Sequence, residues 1–329
     1  MALPIRVMAY YVGVDLGATN VRAVVADGSA TILGAGRGST PRGPTGIAIT
    51  ERILDLIREA CDEAGVAPSA VTACGIGSIG PLDLAAGAVE DPANLPDSVD
   101  RIPLTGPISK LLATDDVYLH NDTNAGVIGE RFHSERNPDD MVYVTMSSGI
   151  GAGVCVDGHV IAGWDGNAGE VGHMTLDPQG IMTCGCGHDG HWEGYCSGNN
   201  IPEYARRLHD DDPIDTALPL EDPDFSAVDV FEHAGEDRFA DHVIEQVTHW
   251  NAMGIANIVH SYAPLVISIG GAVALNNPEL VVDPLRERLD EMVMSNIPEV
   301  MLTDHGDDVV VKGAVASALT DGTGDRSRL

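Results

Sequence analysis

Cys184, Cys186 and Cys196 stand with His188 and His191 in the stretch CGCGHDGHWEGYCSG, residues 184–198, and Glu193 lies two places past His191. His173 comes eleven positions before Cys184. Together His173, Cys184, Cys186 and His191 make a two-nitrogen, two-sulfur donor set. That is the closed tetrahedral kind zinc takes in structural sites, with thiolates at about 2.3 Å and imidazoles at about 2.0 Å. His188 and Cys196 are the competing ligands. A Cys-Gly-Cys-Gly run has little value as core, which argues against an incidental cluster, and in a reducing compartment such clustering favours metal over disulfide. Cys61, Cys74 and Cys155 sit singly in apolar stretches and read as small core residues. Just upstream, GNAGEVGHMTL sets Glu170 and His173 three apart, on one side of the chain if the segment makes a helical turn.

A second chemistry is written in glycine. DLGATN (15–20), SSGIGAG (147–153) and SIGGAVA (268–274) each follow an apolar run. Glycines in such turns let backbone N–H groups approach a phosphate, and the hydroxyls of Thr19 and Ser148 add donors. Neither a P-loop lysine nor a G-x-G-x-x-G at a strand-to-helix turn is present. In HNDTNAGVIGERF, Asp122 falls where a strand ends and a helix begins. An N-cap is its simplest role. A carboxylate there also feels the positive end of the helix and stays ionised, which suits a base that takes a proton from a hydroxyl during phosphoryl transfer.

These residues need a scaffold. Residues 10–38 read as a meander of three strands with a glycine hairpin. A helix follows over 45–64, then a strand at 71–77, a Pro- and Gly-punctuated loop, a short helix near 108–112, a strand at 117–120 and a helix opening at Asp122 or Thr123. From Met141 the order of strand, glycine hairpin, strand, Asp-Gly turn and strand recurs, shifted by 130 residues, which pairs Val12 with Val142 and Gly28 with Gly158. Two related α/β domains are expected: 1–120, with a C-terminal helix at about 313–320 packing back on it, and a larger one over 121–312. Helices are expected near 199–208, 226–233, 237–262 and 285–294, a strand at 309–311, and a frayed tail after 319.

Composition narrows the function classes. The chain has 329 residues, 50 acidic against 18 basic, and a formal charge of −32, with Lys110 and Lys312 its two lysines. Such a surface repels nucleic acid and anionic lipid, and its self-repulsion is tolerated where counterions abound, so it reads as a halophile's surface. No apolar stretch is long enough for a membrane span and no signal peptide is evident; the expected compartment is the cytoplasm.

The combined motifs resemble the ROK family (repressors, open reading frames, kinases) of the actin-like ATPase superfamily. DLGATNVR is similar to its first phosphate loop, SSGIGAG to its second, SIGGAVA to its adenosine loop, HNDTNAGVIGE to its catalytic segment, and GNAGEVGH with the cysteine loop to its signature, over residues 10–319. The resemblance implies two ribonuclease H-like domains with a nucleotide and sugar cleft between them, and an ATP-dependent kinase that phosphorylates a hexose at the 6-hydroxyl. Glucose is the first choice, from IGPLD, NLP and GNAGEVGH; fructose, mannose, N-acetylglucosamine and N-acetylmannosamine are the alternatives.

It further implies Asp122 as the catalytic base, with Asn94, Asn121, Asp122, Glu170, His173 and Glu193 holding the sugar. Asp15, Gly17, Ala18, Thr19, Asn20, Ser148, Gly149, Gly151, Gly270 and Gly271 would hold the nucleotide, Asp15 also serving Mg²⁺ through water. His173, Cys184, Cys186 and His191 would bind a structural zinc. The family usually shows three cysteines there, and His191 stands at the third position. A homodimer or higher homo-oligomer is usual for relatives. The family's sugar-sensing repressors are the rival class; they carry a winged helix-turn-helix ahead of the sugar domain, for which the stretch before Asp15 leaves no room, and the charge opposes DNA. A chaperone or filament on the same ATPase fold is a second rival, opposed by the cysteine loop.

Overall fold

The computed structural model describes residues 9–92 and 95–329. In chain order the elements begin with strands β1 (Tyr10–Leu16), β2 (Asn20–Asp27) and β3 (Ile32–Ser39), helix α1 (Gly46–Ala64) and strand β4 (Val71–Ser78). Three short strands follow, β5 (Leu82–Asp83), β6 (Ala88–Glu90) and β7 (Arg101–Pro103), then α2 (Thr105–Leu112), β8 (Val117–Asn121) and α3 (Asp122–His133). The chain continues through β9 (Met141–Met146), β10 (Ile150–Val156), β11 (His159–Val160), α4 (Glu193–Cys196), α5 (Ile201–Asp211), α6 (Ala227–Glu232) and α7 (Arg238–Tyr262). Last come β12 (Val266–Gly270), α8 (Ala272–Asn276), α9 (Pro278–Val281), α10 (Asp283–Met292), β13 (Glu299–Leu302) and α11 (Val309–Leu319).

These elements form two compact units. The first comprises residues up to Asp139 with Asp157–Ala168 and Asp308–Leu329; the second comprises Asp140–Val156 and Gly169–Asp307. Helix α3 is thus grouped with the first unit, whereas the sequence reading placed it at the head of the second.

The first unit is built on a sheet of order β3-β2-β1-β4-β8, antiparallel across β1, β2 and β3 and parallel from β1 through β4 to β8. Ile49, Ile53, Leu56, Ile57 and Ala60 recur at helical spacing along α1 and are wholly buried, so the helix lays one apolar stripe on the core. Its end is set by Gly65, whose left-handed φ of 68° lets its N–H reach the Asp62 carbonyl.

Helix α11 packs against α3, β4 and β1. The contact is backbone against backbone: a Cβ on Gly75 would lie 2.0 Å from the Ala314 carbonyl oxygen, and one on Gly313 would lie 1.7 Å from that of Ala125. This corrects the expected strand at 309–311. Val309–Val311 favour extended chain by local preference, but the small residues after them seat a helix, and tertiary packing overrides propensity. Two further expectations change. The Pro- and Gly-punctuated loop contains the antiparallel sheet β5-β6-β7. The tail is held in place, with Arg326 donating to the Ser134 carbonyl at 2.7 Å and Asn137 to that of Gly324 at 3.0 Å.

In the second unit β9, β10, β12 and β13 repeat the same plan: β10 and β9 are antiparallel, and β9, β12 and β13 run parallel. Strand β13 was not foreseen. The long α7 opens on Asp237, whose Oδ1 accepts the N–H groups of Phe239 (2.8 Å) and Ala240 (3.0 Å).

Candidate functional site in each unit

In the first unit the 15–20 segment is the hairpin between β1 and β2. Gly17 donates its N–H to the Asn20 carbonyl at 2.9 Å, and Thr40 braces the turn from outside, through its hydroxyl to the Gly17 carbonyl (2.7 Å) and its N–H to that of Thr19 (2.8 Å). Thr19 and Asn20 are exposed and Gly17 and Ala18 half-buried. Asp15 points to Arg22, whose Nε (3.0 Å) and Nη2 (2.6 Å) both donate to its Oδ2, while Nη1 reaches Asp308 at 2.8 Å. Burial raises the Asp15 carboxyl above its ordinary range, and the Arg22 guanidinium opposes the rise. Arg22 was not among the expected site residues; its place two residues into a strand, across the register from Asp15, was the available signal.

The capping at α3 differs from the expectation. Asn121 is the N-cap, its Oδ1 accepting the N–H (3.0 Å) and hydroxyl (2.7 Å) of Thr123, and Asp122 is the first helical residue, its own Oδ1 accepting the Thr123 N–H at 2.7 Å. The parallel strand β8 thus delivers Asp122 at the helix's positive end, half-buried. Asn94 lies outside the described residues.

In the second unit the 147–149 turn joins β9 to β10, closed by the Ser147 N–H on the Gly149 carbonyl at 2.9 Å; Ser148 is exposed and Gly151 half-buried. Gly270 ends β12 and Gly271 turns the chain into α8 with φ 87°, so close to β9 that a Cβ there would sit 2.4 Å from the Met146 carbonyl oxygen. Only glycine fits both the dihedral and the contact.

His173, Cys184, Cys186 and His191 converge: each offers one ligand atom, and all four lie within 4.8 Å of one another. His173 Nδ1 is 3.6 Å from Cys184 Sγ, and His191 Nδ1 is 3.3 Å from Cys186 Sγ. This is a donor set that fits a tetrahedral zinc. Cys196 is apart from it, buried in α4 with its thiol on the Val247 carbonyl. His188 stacks in parallel on His191 with its Nδ1 3.6 Å from Cys186 Sγ, on the exposed side. Burial drives the Cys184 thiol up to about 12. At Cys186 burial acts in the same direction but is outweighed by hydrogen bonds from His188 and Cys184, which bring the thiol down to about 7.

Glu170 caps and His173 ends a single 3₁₀ turn, with His173 Nε2 and Glu170 Oε2 3.8 Å apart. Desolvation raises the Glu170 carboxyl, His173 opposes the rise and the charge of Glu193 adds to it. Glu193 opens α4; its Oε1 lies 3.7 Å from Cys184 Sγ and its Oε2 accepts the Ile150 N–H at 2.8 Å.

The loop that carries these groups is fastened by residues the sequence reading passed over. Tyr195 donates its hydroxyl to buried Asp177 at 2.5 Å and accepts the Met182 N–H at 3.1 Å, and Asp177 also takes the N–H groups of Gln179 and Ile181 at 2.9 Å each. Trp192, wholly buried, donates to Asn251 of α7 at 2.9 Å. The Asp-Pro-Gln-Gly turn was the one local hint of the Asp177 anchor.

Comparison with known proteins adds three findings. A model of the ROK family matches residues 11–321. The chain is 34% identical over 312 residues to a glucokinase of Pyrobaculum calidifontis, covering 94% of this chain and 95% of that one. Among solved structures it is similar to a ROK hexokinase from Thermus thermophilus (TM-score 0.79, 30% identity, 95% and 98% coverage). It also resembles a ROK family glucokinase from Streptomyces griseus in complex with glucose and AMPPNP (TM-score 0.74, 28% identity, 94% and 99% coverage).

Proposed function

The chain belongs to the ROK family, and from that premise we propose that it is an ATP-dependent hexose kinase that transfers the γ-phosphoryl group to the 6-hydroxyl of glucose. The observation that carries this reading is the convergence of Glu170, His173 and Glu193 on one cysteine-histidine cluster, in a chain that is 34% and 35% identical to two glucokinases over 94% of its length. Two carboxylates and an imidazole are acceptors suited to sugar hydroxyls.

In this reading the turns at 15–20 and 147–149 take the phosphates on backbone N–H groups, with Gly270 and Gly271 on the adenosine side. Asp122, at the start of α3, accepts the proton as the sugar oxygen attacks phosphorus and the β–γ bridge bond breaks. Such transfer rests on positioning and charge neutralisation, and little covalent work falls to the protein. Mg²⁺ neutralises phosphate charge when bound; Asp15, oriented by Arg22, would serve it through water. His173, Cys184, Cys186 and His191 would hold a zinc ion that adds rigidity when bound, and the imidazole of His173 would also face the sugar. Asn121 would touch the sugar through its amide nitrogen, since its oxygen is engaged in the cap.

The salt-adapted surface, cytoplasmic location and homo-oligomeric state belong to the same proposal. No helix among the described residues is long and apolar enough to cross a membrane. The deciding experiment is turnover on a panel of hexoses with ATP and Mg²⁺ in molar KCl. Glucose should give the highest kcat/KM; a preference for fructose, mannose or an N-acetylhexosamine would move the substrate, and no turnover on any would sink the kinase reading.

A further inference from the structure

The Glu193 carboxylate touches two things at once. One oxygen faces the Cys184 thiol, and the other accepts the N–H of Ile150, the residue that opens β10 just after the 147–149 turn. The approach is close: a Cβ on Gly149 would stand 2.7 Å from that oxygen, so a methyl there would displace the carboxylate. Two residues past α4, Gly198 holds the same turn, donating its N–H to the Ser147 carbonyl at 2.7 Å. Residues 193–198 therefore hold the turn at both ends, by a charged acceptor at Ile150 and by backbone at Ser147.

We propose that Glu193 is a positioning residue for the nucleotide turn, setting the shape of Ser147–Gly149 independently of any sugar. The proposal rests on the reading of this turn as phosphate-facing. A hydrogen bond to a charged acceptor within the turn restrains the N–H groups that would meet phosphate, so its loss lets the turn relax and weakens nucleotide binding. A Glu193 that served sugar alone would leave nucleotide binding in the absence of sugar untouched.

The test is the affinity of the metal-loaded full chain for AMPPNP with Mg²⁺ and no sugar, measured by titration calorimetry alongside bound zinc. Glu193→Ala should bind about tenfold more weakly with zinc content unchanged, and Glu193→Gln, whose amide oxygen still accepts the Ile150 N–H, should stay within about threefold of the parent. Gly149→Ala should also weaken binding, by pushing the carboxylate off the turn. In the Glu193→Ala background the space is open, and the same change should add nothing. Parent-like binding by Glu193→Ala, or additive losses in the double variant, overturns the proposal. Should Glu193→Ala not fold, parent-like binding by Gly149→Ala overturns it alone. No AMPPNP binding by the parent chain is the distinct result that removes the phosphate reading itself.

Discussion

Asn121 takes the N-cap that the sequence pattern assigns to Asp122. With Asn121 serving as cap, Asp122 is the first residue of the helix, the position at which we propose it acts as base. Replacing it by Asn keeps size and hydrogen bonding to Thr123 but removes the base. Asp122→Asn should lower kcat by about 10²- to 10⁴-fold while sugar affinity, followed by intrinsic fluorescence, changes little; near-parent turnover would remove Asp122 from the base role. The cysteine ligands make a different prediction. Cys184→Ser should lose bound zinc on elemental analysis, and with it sugar affinity, because the metal would tie together the two stretches that carry His173 and Glu193. Zinc-free protein that binds sugar normally would reduce the cluster to a turn. Local spacing marked all four members of the donor cluster. It did not mark Arg22, which meets Asp15 only through strand register, or Asp177, whose partner Tyr195 follows a long loop excursion.

At the scale of elements, α11 is what closes the first unit's core. Gly313→Ala would force a methyl into the Ala125 carbonyl, and the strain should cost about 1–3 kcal/mol or more, read from urea unfolding at constant salt. The same helix meets β8 through His120, whose Nε2 is 2.8 Å from the Ser317 hydroxyl. Burial lowers this imidazole from 6.5 to about 4. The unfolded chain therefore binds a proton there that the folded chain refuses, so this contribution to stability is complete above about pH 6.5 and is lost as pH falls toward 4. Melting temperature should fall through that window, and His120→Asn should make the fall shallower; an identical slope in the variant would assign the loss to other groups. Helix α11 was half legible. Its glycine and small residues pointed to packing after 313, but three successive valines imitate a strand until β4 and α3 are there to receive a helix.

The whole molecule carries its −32 charge on a surface with few lysines to pair it. Screening shortens the reach of that repulsion from about 10 Å at 0.1 M salt to about 3 Å at 1 M. Thermal stability should therefore rise with KCl between those concentrations; a melting temperature indifferent to KCl would refute the salt-adapted reading. The two units share one strand plan, and each presents a glycine hairpin at the same station of its sheet, which is how a recurrence of weak identities became a recurrence of architecture.

The amino-acid sequence by itself determined the elements with a clear period, the two glycine hairpins, and the zinc-type donor set, because periodicity, turn chemistry and ligand spacing are local properties of a chain. The tertiary structure decided the rest. It made 309–311 a helix, formed β5-β6-β7 from an apparent loop, gave the cap to Asn121, clamped Asp15 with Arg22 and placed Glu193 on the Ile150 N–H. Each of these depends on partners brought together only when the core forms, and no local pattern of charge or hydrophobicity specifies which distant group will satisfy a buried donor or leave room for a Cβ.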